Sequence, residues 1–163
     1  MSAADDKEML TWQRFGEANR ELATEIHASG YRPDLVIAIA RGGLLFAGGL
    51  AYALGIKACD ALNVEFYTGI GETLESPILL RPFMDEEAAR GAKVLLVDDV
   101  ADSGRTLRLA VDLVTKMGAE VRSAVLYTKP TTIIQPDFSW KDTDAWIVFP
   151  WSADPPVGGG SDH

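Results

Sequence analysis

Cysteine, histidine and positive charge are all scarce in this chain, and each scarcity closes off a class of function. With a single cysteine, Cys59, there is no internal disulfide, and with only two histidines, His27 and His163, no Cys/His zinc constellation can be assembled. Cys59 is therefore expected to be a packing residue. The 15 Lys and Arg against 24 Asp and Glu give a formal net charge of −9, the wrong balance for a surface that neutralises nucleic-acid phosphates. No nucleic-acid partner is expected. A small anionic ligand is still admissible, because a few placed cations, a metal ion and backbone donors can receive it whatever the net charge. Arg41, Arg81, Arg105 and Lys129 are the candidates. No uninterrupted apolar run is long enough to span a bilayer. Met1 to Glu8 is polar and acidic where a signal peptide needs basic residues and then an apolar core, which predicts a cytoplasmic protein.

Apolar residues nevertheless make up 47% of the 163 positions, enough for a core, and the length predicts one domain over residues 1–163. Apolar residues at 9, 10, 12, 15, 18, 22, 23 and 26 have a helical period, so an opening helix is predicted from Lys7 to about Ser29, stopped by Gly30. Asp34 to Ala40 reads as a buried strand, Arg41-Gly42-Gly43 as a tight turn, and Leu44 to Leu54 as an apolar helix closed by Gly55. Further strands are predicted over Ala58–Tyr67, Ile78–Arg81, Val121–Tyr127 and Ala145–Phe149, with a polar, glycine-containing loop over Thr68–Pro77. The Pro- and Gly-rich stretch from Ser152 to His163 is expected to be a loose tail. Strands alternating with helices indicate an α/β architecture with a parallel sheet.

The most informative run is Val94 to Thr106. Its first four residues, Val-Leu-Leu-Val, read as a buried strand that delivers Asp98 and Asp99 to its C-terminal tip, where open α/β sheets bind ligands. Asp102-Ser103-Gly104-Arg105-Thr106 follows, and then a predicted helix over Leu107–Met117 with apolar residues at 107, 109, 110, 111, 113, 114 and 117. Such a turn can set backbone N–H groups and the Ser103 and Thr106 hydroxyls around an anion at the positive end of a helix. Carboxylates suited to sugar hydroxyls or a metal thus stand one turn from a phosphate cradle. Taken singly, the acidic pair could be solvated turn residues, and Ser, Gly and Thr could be ordinary capping chemistry.

As one ordered run, residues 94–106 resemble the ribose-phosphate signature of the type I phosphoribosyltransferases. Ala40-Arg41-Gly42-Gly43 then resembles the loop that binds the pyrophosphate of phosphoribosyl diphosphate in that family, with a non-proline cis peptide expected at Arg41–Gly42. Downstream, Tyr127-Thr128-Lys129-Pro130 and Asp144 to Trp151 are similar to segments of the short bacterial xanthine-guanine enzymes. The resemblance spans Asp34 to Trp151 and is poor over Tyr67–Gly91; Arg105 stands where the family frequently has glycine.

The resemblance implies a single domain with a mostly parallel twisted sheet flanked by helices. Its core would run from about 34 to 128, with a small C-terminal hood, about 129–151, over the base. It assigns Arg41, Gly42, Arg81, Asp98, Asp99, Asp102, Ser103, Gly104, Arg105 and Thr106 to phosphoribosyl diphosphate, with Asp98 and Asp99 also serving Mg²⁺. Asp102 would take the N7 proton as the catalytic base, Lys129 would donate to a purine O6, Trp146 would stack and the Ile147 backbone would read the ring edge. The partners implied are phosphoribosyl diphosphate and a 6-oxopurine base, in a homodimer or homotetramer. The Thr68–Pro77 loop would close over the reacting carbon. Two neighbouring readings stay open at this point: a phosphoribosyltransferase for another base, and a regulatory relative that keeps the site as a sensor. A response-regulator receiver domain, which also carries an acidic pair on a strand, is disfavoured because too little chain follows Asp99 to complete it.

Overall fold

The computed structural model describes residues 6–66, 77–83 and 86–160. In chain order the elements are β1 (Lys7–Met9), α1 (Trp12–Ala28), β2 (Leu35–Ala40), α2 (Gly43–Leu54), β3 (Cys59–Phe66), β4 (Pro77–Phe83), α3 (Glu86–Ala89), β5 (Lys93–Ala101), α4 (Arg105–Lys116), β6 (Glu120–Thr128), β7 (Phe138–Asp142) and β8 (Trp146–Val148). Six strands form one sheet in the order β4-β3-β2-β5-β6-β7. All neighbours are parallel except the β3–β4 edge pair. The α/β reading with a mostly parallel sheet and flanking helices is thereby met. The proposed closing loop, Thr68–Pro77, lies outside the described residues but for Pro77, the first residue of β4.

The sheet is a parallel one buried on both faces, which is why β2 and β5 are continuous apolar runs in sequence. Along β5, Leu95 and Val97 join the core beneath α1 and α2, while Val94 and Leu96 join the core beneath α4. The helices supply matching stripes: Ala18, Leu22, Ala23 and Ile26 from α1, and Leu107, Ala110 and Val114 from α4. Gly55 ends α2 with a left-handed φ of 71°, where a side chain would be strained.

Strand order reverses direction between β2 and β5, because the chain moves from β2 outward to β3 and then returns to the other side of β2. Ligands of open α/β sheets bind at such a switch point, outside the carboxyl ends of the strands. Both informative sequence turns, 40–43 and 98–106, leave the sheet there.

Two expectations are corrected, and one strand is added. The opening helix does not begin at Lys7: Thr11 caps it, its hydroxyl accepting from the Arg14 N–H at 3.1 Å, and Lys7–Met9 instead pairs in parallel with β8 as a separate two-stranded sheet. A helical period that includes Met9 and Leu10 cannot register backbone pairing to a strand far along the chain. Cys59 is exposed at the first residue of β3, so it is not a packing residue. The β7 strand, Phe138–Asp142, went unread because its alternation is short and mixed with charge.

Tyr31 ties the segment after α1 to the sheet. Its buried hydroxyl donates to the Val94 carbonyl at 2.8 Å and lies 3.2 Å from that of Glu120, and burial pushes its pKa well up. Tyr31→Phe leaves the Val94 carbonyl short of its donor, so urea unfolding is expected to show a loss of about 1–2 kcal/mol with unchanged cooperativity. An unchanged midpoint would show that the hydroxyl does not hold this junction.

Candidate active site

The acidic pair sits inside β5, not beyond its tip, because ladder pairing to β6 continues through Asp98↔Val125 and Val100↔Tyr127 to Ala101↔Thr128. Asp98 is buried, and its Oδ1 accepts the Asp99 backbone N–H at 2.8 Å. Burial, and then the Asp99 charge beside it, push the Asp98 carboxyl well above the usual carboxylate range; burial also raises Asp99. Two adjacent acids held this way store unfavourable charge that a cation or a hydroxyl donor would relieve.

The 40–43 turn is pressed directly onto this pair. A methyl group on Gly42 would overlap the Asp99 carboxylate, and one on Gly43 would overlap the Val97 carbonyl. At Gly43 the backbone leaves no room for a side chain, whereas a side chain at Gly42, which has ordinary right-handed dihedrals, would have to push the Asp99 carboxylate aside. The cis peptide lies at Ala40–Arg41, one bond earlier than the resemblance implies. Gly42 and Gly43 are already in helical conformation at the start of α2, so the reversal out of β2 is completed before them.

The second turn, 102–106, leads into α4. Gly104, with φ 80°, precedes the first turn of that helix, and the Ser103 hydroxyl accepts the Arg105 N–H at 3.3 Å. Asp102, Ser103 and Arg105 are exposed, and Thr106 is half-buried. The turn is braced from behind: the Ile133 N–H donates to the Ser103 carbonyl at 2.8 Å and the Thr131 hydroxyl to the Asp102 carbonyl at 3.0 Å. The N-terminal amides of α4 and the small side chains before it are the kind of donor set that can receive an anion.

Two neighbouring cavities complete the picture. One, of about 380 Å³, has Asp102, Lys129, Trp146 and Ile147 in its wall. The other, of about 550 Å³, is lined by Arg41, Gly42 and Asp99. Phe149 and Ser152 stand in the walls of both, so the two cavities adjoin at these residues. Trp146 is 71% exposed, which leaves its indole open to a planar ligand. The Lys129 ammonium donates to the Ala145 carbonyl at 2.5 Å. The backbone of Arg81, on β4, pairs with Asn63 of β3, which pairs in turn with Ala40 of β2, so Arg81 lies level with the 40–43 turn.

Ser152 and Phe149 were not singled out in the sequence. Ser152 was assigned to the loose tail, yet its N–H closes a turn on the Phe149 carbonyl at 3.1 Å and brings it between the cavities. A polar residue directly after the aromatic run 146–151 was the available signal. The contribution of β1 was also missed; it pairs Lys7 with Trp146 and Glu8 with Ile147, fixing the strand that carries both pocket residues.

For a metal, the donor set is two carboxylates, and among the described residues no group of three or more His, Cys, Asp or Glu side chains forms a cage. That set fits a hard cation such as Mg²⁺, which keeps waters and takes further ligands from substrate phosphates, and it does not fit zinc.

Comparison with known proteins agrees with this geometry. The phosphoribosyl transferase domain family matches residues 5–156. A xanthine-guanine phosphoribosyltransferase of Ruegeria sp. (strain TM1040) is 33% identical over 153 residues, covering 87% of this chain and 83% of that protein. Among solved structures, a purine phosphoribosyltransferase from Pyrococcus horikoshii Ot3 superimposes with a TM-score of 0.81 at 38% identity, covering 93% of this chain and 98% of the other. A hypothetical protein from Neisseria gonorrhoeae with bound ppGpp superimposes with a TM-score of 0.78 at 28% identity, covering 90% and 89%. With the acidic strand end, the glycine turn packed on it and these relatives in agreement, the chain belongs to the type I phosphoribosyltransferase family and closely matches its bacterial xanthine-guanine members.

Proposed function

We propose that the protein transfers ribose 5-phosphate from phosphoribosyl diphosphate to N9 of a 6-oxopurine, guanine, xanthine or hypoxanthine, and releases pyrophosphate. The observation that carries this reading is that the cavity lined by Asp102, Lys129, Trp146 and Ile147 adjoins, at Phe149 and Ser152, the cavity lined by Arg41, Gly42 and Asp99. The relatives named as xanthine-guanine and purine phosphoribosyltransferases support it.

In this reading the 5-phosphate lies at the N-terminus of α4, where Ser103, Gly104, Arg105 and Thr106 supply backbone and hydroxyl donors. Pyrophosphate lies along Arg41 and Gly42, and the family resemblance adds Arg81 of β4 to its ligands. Asp98 and Asp99 orient the ribose hydroxyls and would hold Mg²⁺. When bound, the ion supplies charge neutralisation for the leaving pyrophosphate. As the glycosidic bond breaks, positive charge spreads over the ribosyl carbon and ring oxygen, and the carboxylates nearby stabilise it electrostatically. Lys129 donates to O6 of the incoming base, the Ile147 backbone reads its edge, and Trp146 stacks on it, a contact worth about 1–3 kcal/mol. Asp102 removes the N7 proton as N9 bonds to the ribose.

An ammonium at O6 suits an oxo group and opposes an adenine amino group, donor against donor. Lys129→Ala is expected to lower kcat/KM for every 6-oxopurine while leaving the KM for phosphoribosyl diphosphate unchanged in steady-state assays. Loss confined to phosphoribosyl diphosphate binding would remove Lys129 from the base site.

Asp102→Asn should lower kcat by about 10²–10⁴-fold, the usual contribution of a general base, with a much smaller change in the KM for phosphoribosyl diphosphate. Wild-type turnover across the pH range would exclude Asp102 as the base.

The acidic pair also has a stability consequence. Because the folded-state pKa of Asp98 is raised, its contribution to stability is complete below the ordinary carboxylate value and is lost as pH rises through the raised one. Asp98→Asn should therefore unfold at higher temperature than wild type at pH 8 in metal-free buffer, by about 2–4 °C for each kcal/mol relieved, with the gain vanishing near pH 4. The same variant should bind phosphoribosyl diphosphate with Mg²⁺ more weakly by calorimetry. A less stable variant at pH 8, or unaltered binding, would contradict the assignment of that carboxylate to the ligand.

A further inference from the structure

We infer that Thr143 is a positioning residue for base recognition, acting through the backbone of Ala145 on the Lys129 ammonium. The inference rests on the reading of Lys129 as the group that meets the 6-oxo oxygen. Four hydrogen bonds carry it. The Lys129 N–H donates to the Ala101 carbonyl at 2.9 Å, which fixes the lysine backbone to the end of β5, and the Thr143 N–H donates to the Thr128 carbonyl at 3.0 Å, which fixes the residue after β7 to the end of β6. The Thr143 hydroxyl oxygen then accepts the Ala145 N–H at 3.1 Å, turning the chain so that the Ala145 carbonyl receives the Lys129 ammonium at 2.5 Å. Trp146, the stacking residue, follows immediately. One hydroxyl therefore sets both the turn that enters β8 and the acceptor that holds the lysine head.

Lys129 needs such a tether because it stands in the wall between two cavities. On one side is the space shared with Asp102, Trp146 and Ile147; on the other is a cavity of about 500 Å³ lined also by Thr143 and the exposed acids Asp142 and Asp144. A flexible ammonium that shares a cavity wall with two exposed carboxylates is attracted to that side unless something closer holds it. The Ala145 carbonyl engages one of its three donors and leaves two for a ligand.

The experiment is a double-mutant comparison of Thr143→Val and Thr143→Ser in the wild-type and Lys129→Ala backgrounds. Steady-state kinetics with guanine and hypoxanthine are combined with calorimetric binding of guanosine 5′-monophosphate, which needs no turnover. Thr143→Val is expected to raise the KM for both bases about 3- to 10-fold, the effect of one hydrogen bond, with the KM for phosphoribosyl diphosphate unchanged. Thr143→Ser, which keeps the acceptor, should restore wild-type behaviour. In the Lys129→Ala background Thr143→Val should add nothing, since the group it positions is gone. An equal penalty in both backgrounds, failure of serine to rescue, or a matching rise in the KM for phosphoribosyl diphosphate would overturn the inference and leave the base reading intact. A wild-type enzyme that turns over no 6-oxopurine would instead overturn the base reading, and this inference with it.

Discussion

Everything at the functional end of this molecule depends on how closely the 42–43 turn approaches the last residues of β5. Neither Gly42 nor Gly43 has room for a methyl group, because the Asp99 carboxylate and the Val97 carbonyl fill the space. That contact brings the end of β2 against the end of β5 at the switch in strand order, so that the turn leaving one strand and the acids ending the other face a single cleft. A larger residue at Gly43 would press on the Val97 backbone, and one at Gly42 would displace the Asp99 carboxylate. The electrostatics follow from burial of Asp98 and from the Asp99 charge beside it, which together raise the Asp98 carboxyl.

Around this contact the two parts of the candidate site are built differently. The end proposed for phosphate is α4, a 12-residue helix packed along its Leu107, Ala110 and Val114 stripe, with the turn before it braced by Thr131 and Ile133. The end proposed for the base is made of strand ends and short turns, with the two-stranded pairing of β1 and β8. Glu8 anchors β1 from the other side, accepting from Lys141 at 2.8 Å and from the Tyr127 hydroxyl at 3.4 Å.

The fold was largely legible because its signals are local. Continuous apolar runs announced β2 and β5, and the helical stripe after Thr106 announced α4; Gly55 marked the end of α2. The site was legible where chemistry is written in consecutive residues, as in Asp98-Asp99 and Asp102 to Thr106. What escaped was non-local. Lys7–Met9 carries no strand signature of its own and becomes β1 only by pairing with Trp146–Val148. Ser152 reaches the cavity walls through a turn on Phe149, and Thr143 is tied to Thr128 and Ala145 by hydrogen bonds, none of which leaves a periodic trace. The cis peptide was placed one bond late because composition locates a turn but not the bond at which the chain reverses.

The proposed transfer of ribose 5-phosphate to a 6-oxopurine is tested directly on wild-type protein. The measurement is nucleotide formation from phosphoribosyl diphosphate and Mg²⁺ with guanine, xanthine, hypoxanthine, adenine and a pyrimidine offered in parallel. Nucleotides of the 6-oxopurines are expected, with adenine and the pyrimidine rejected, up to about 10⁴–10⁵-fold where buried polar groups would go unpaired. Efficient use of adenine or the pyrimidine, or no product from any base despite tight binding of phosphoribosyl diphosphate, would contradict it.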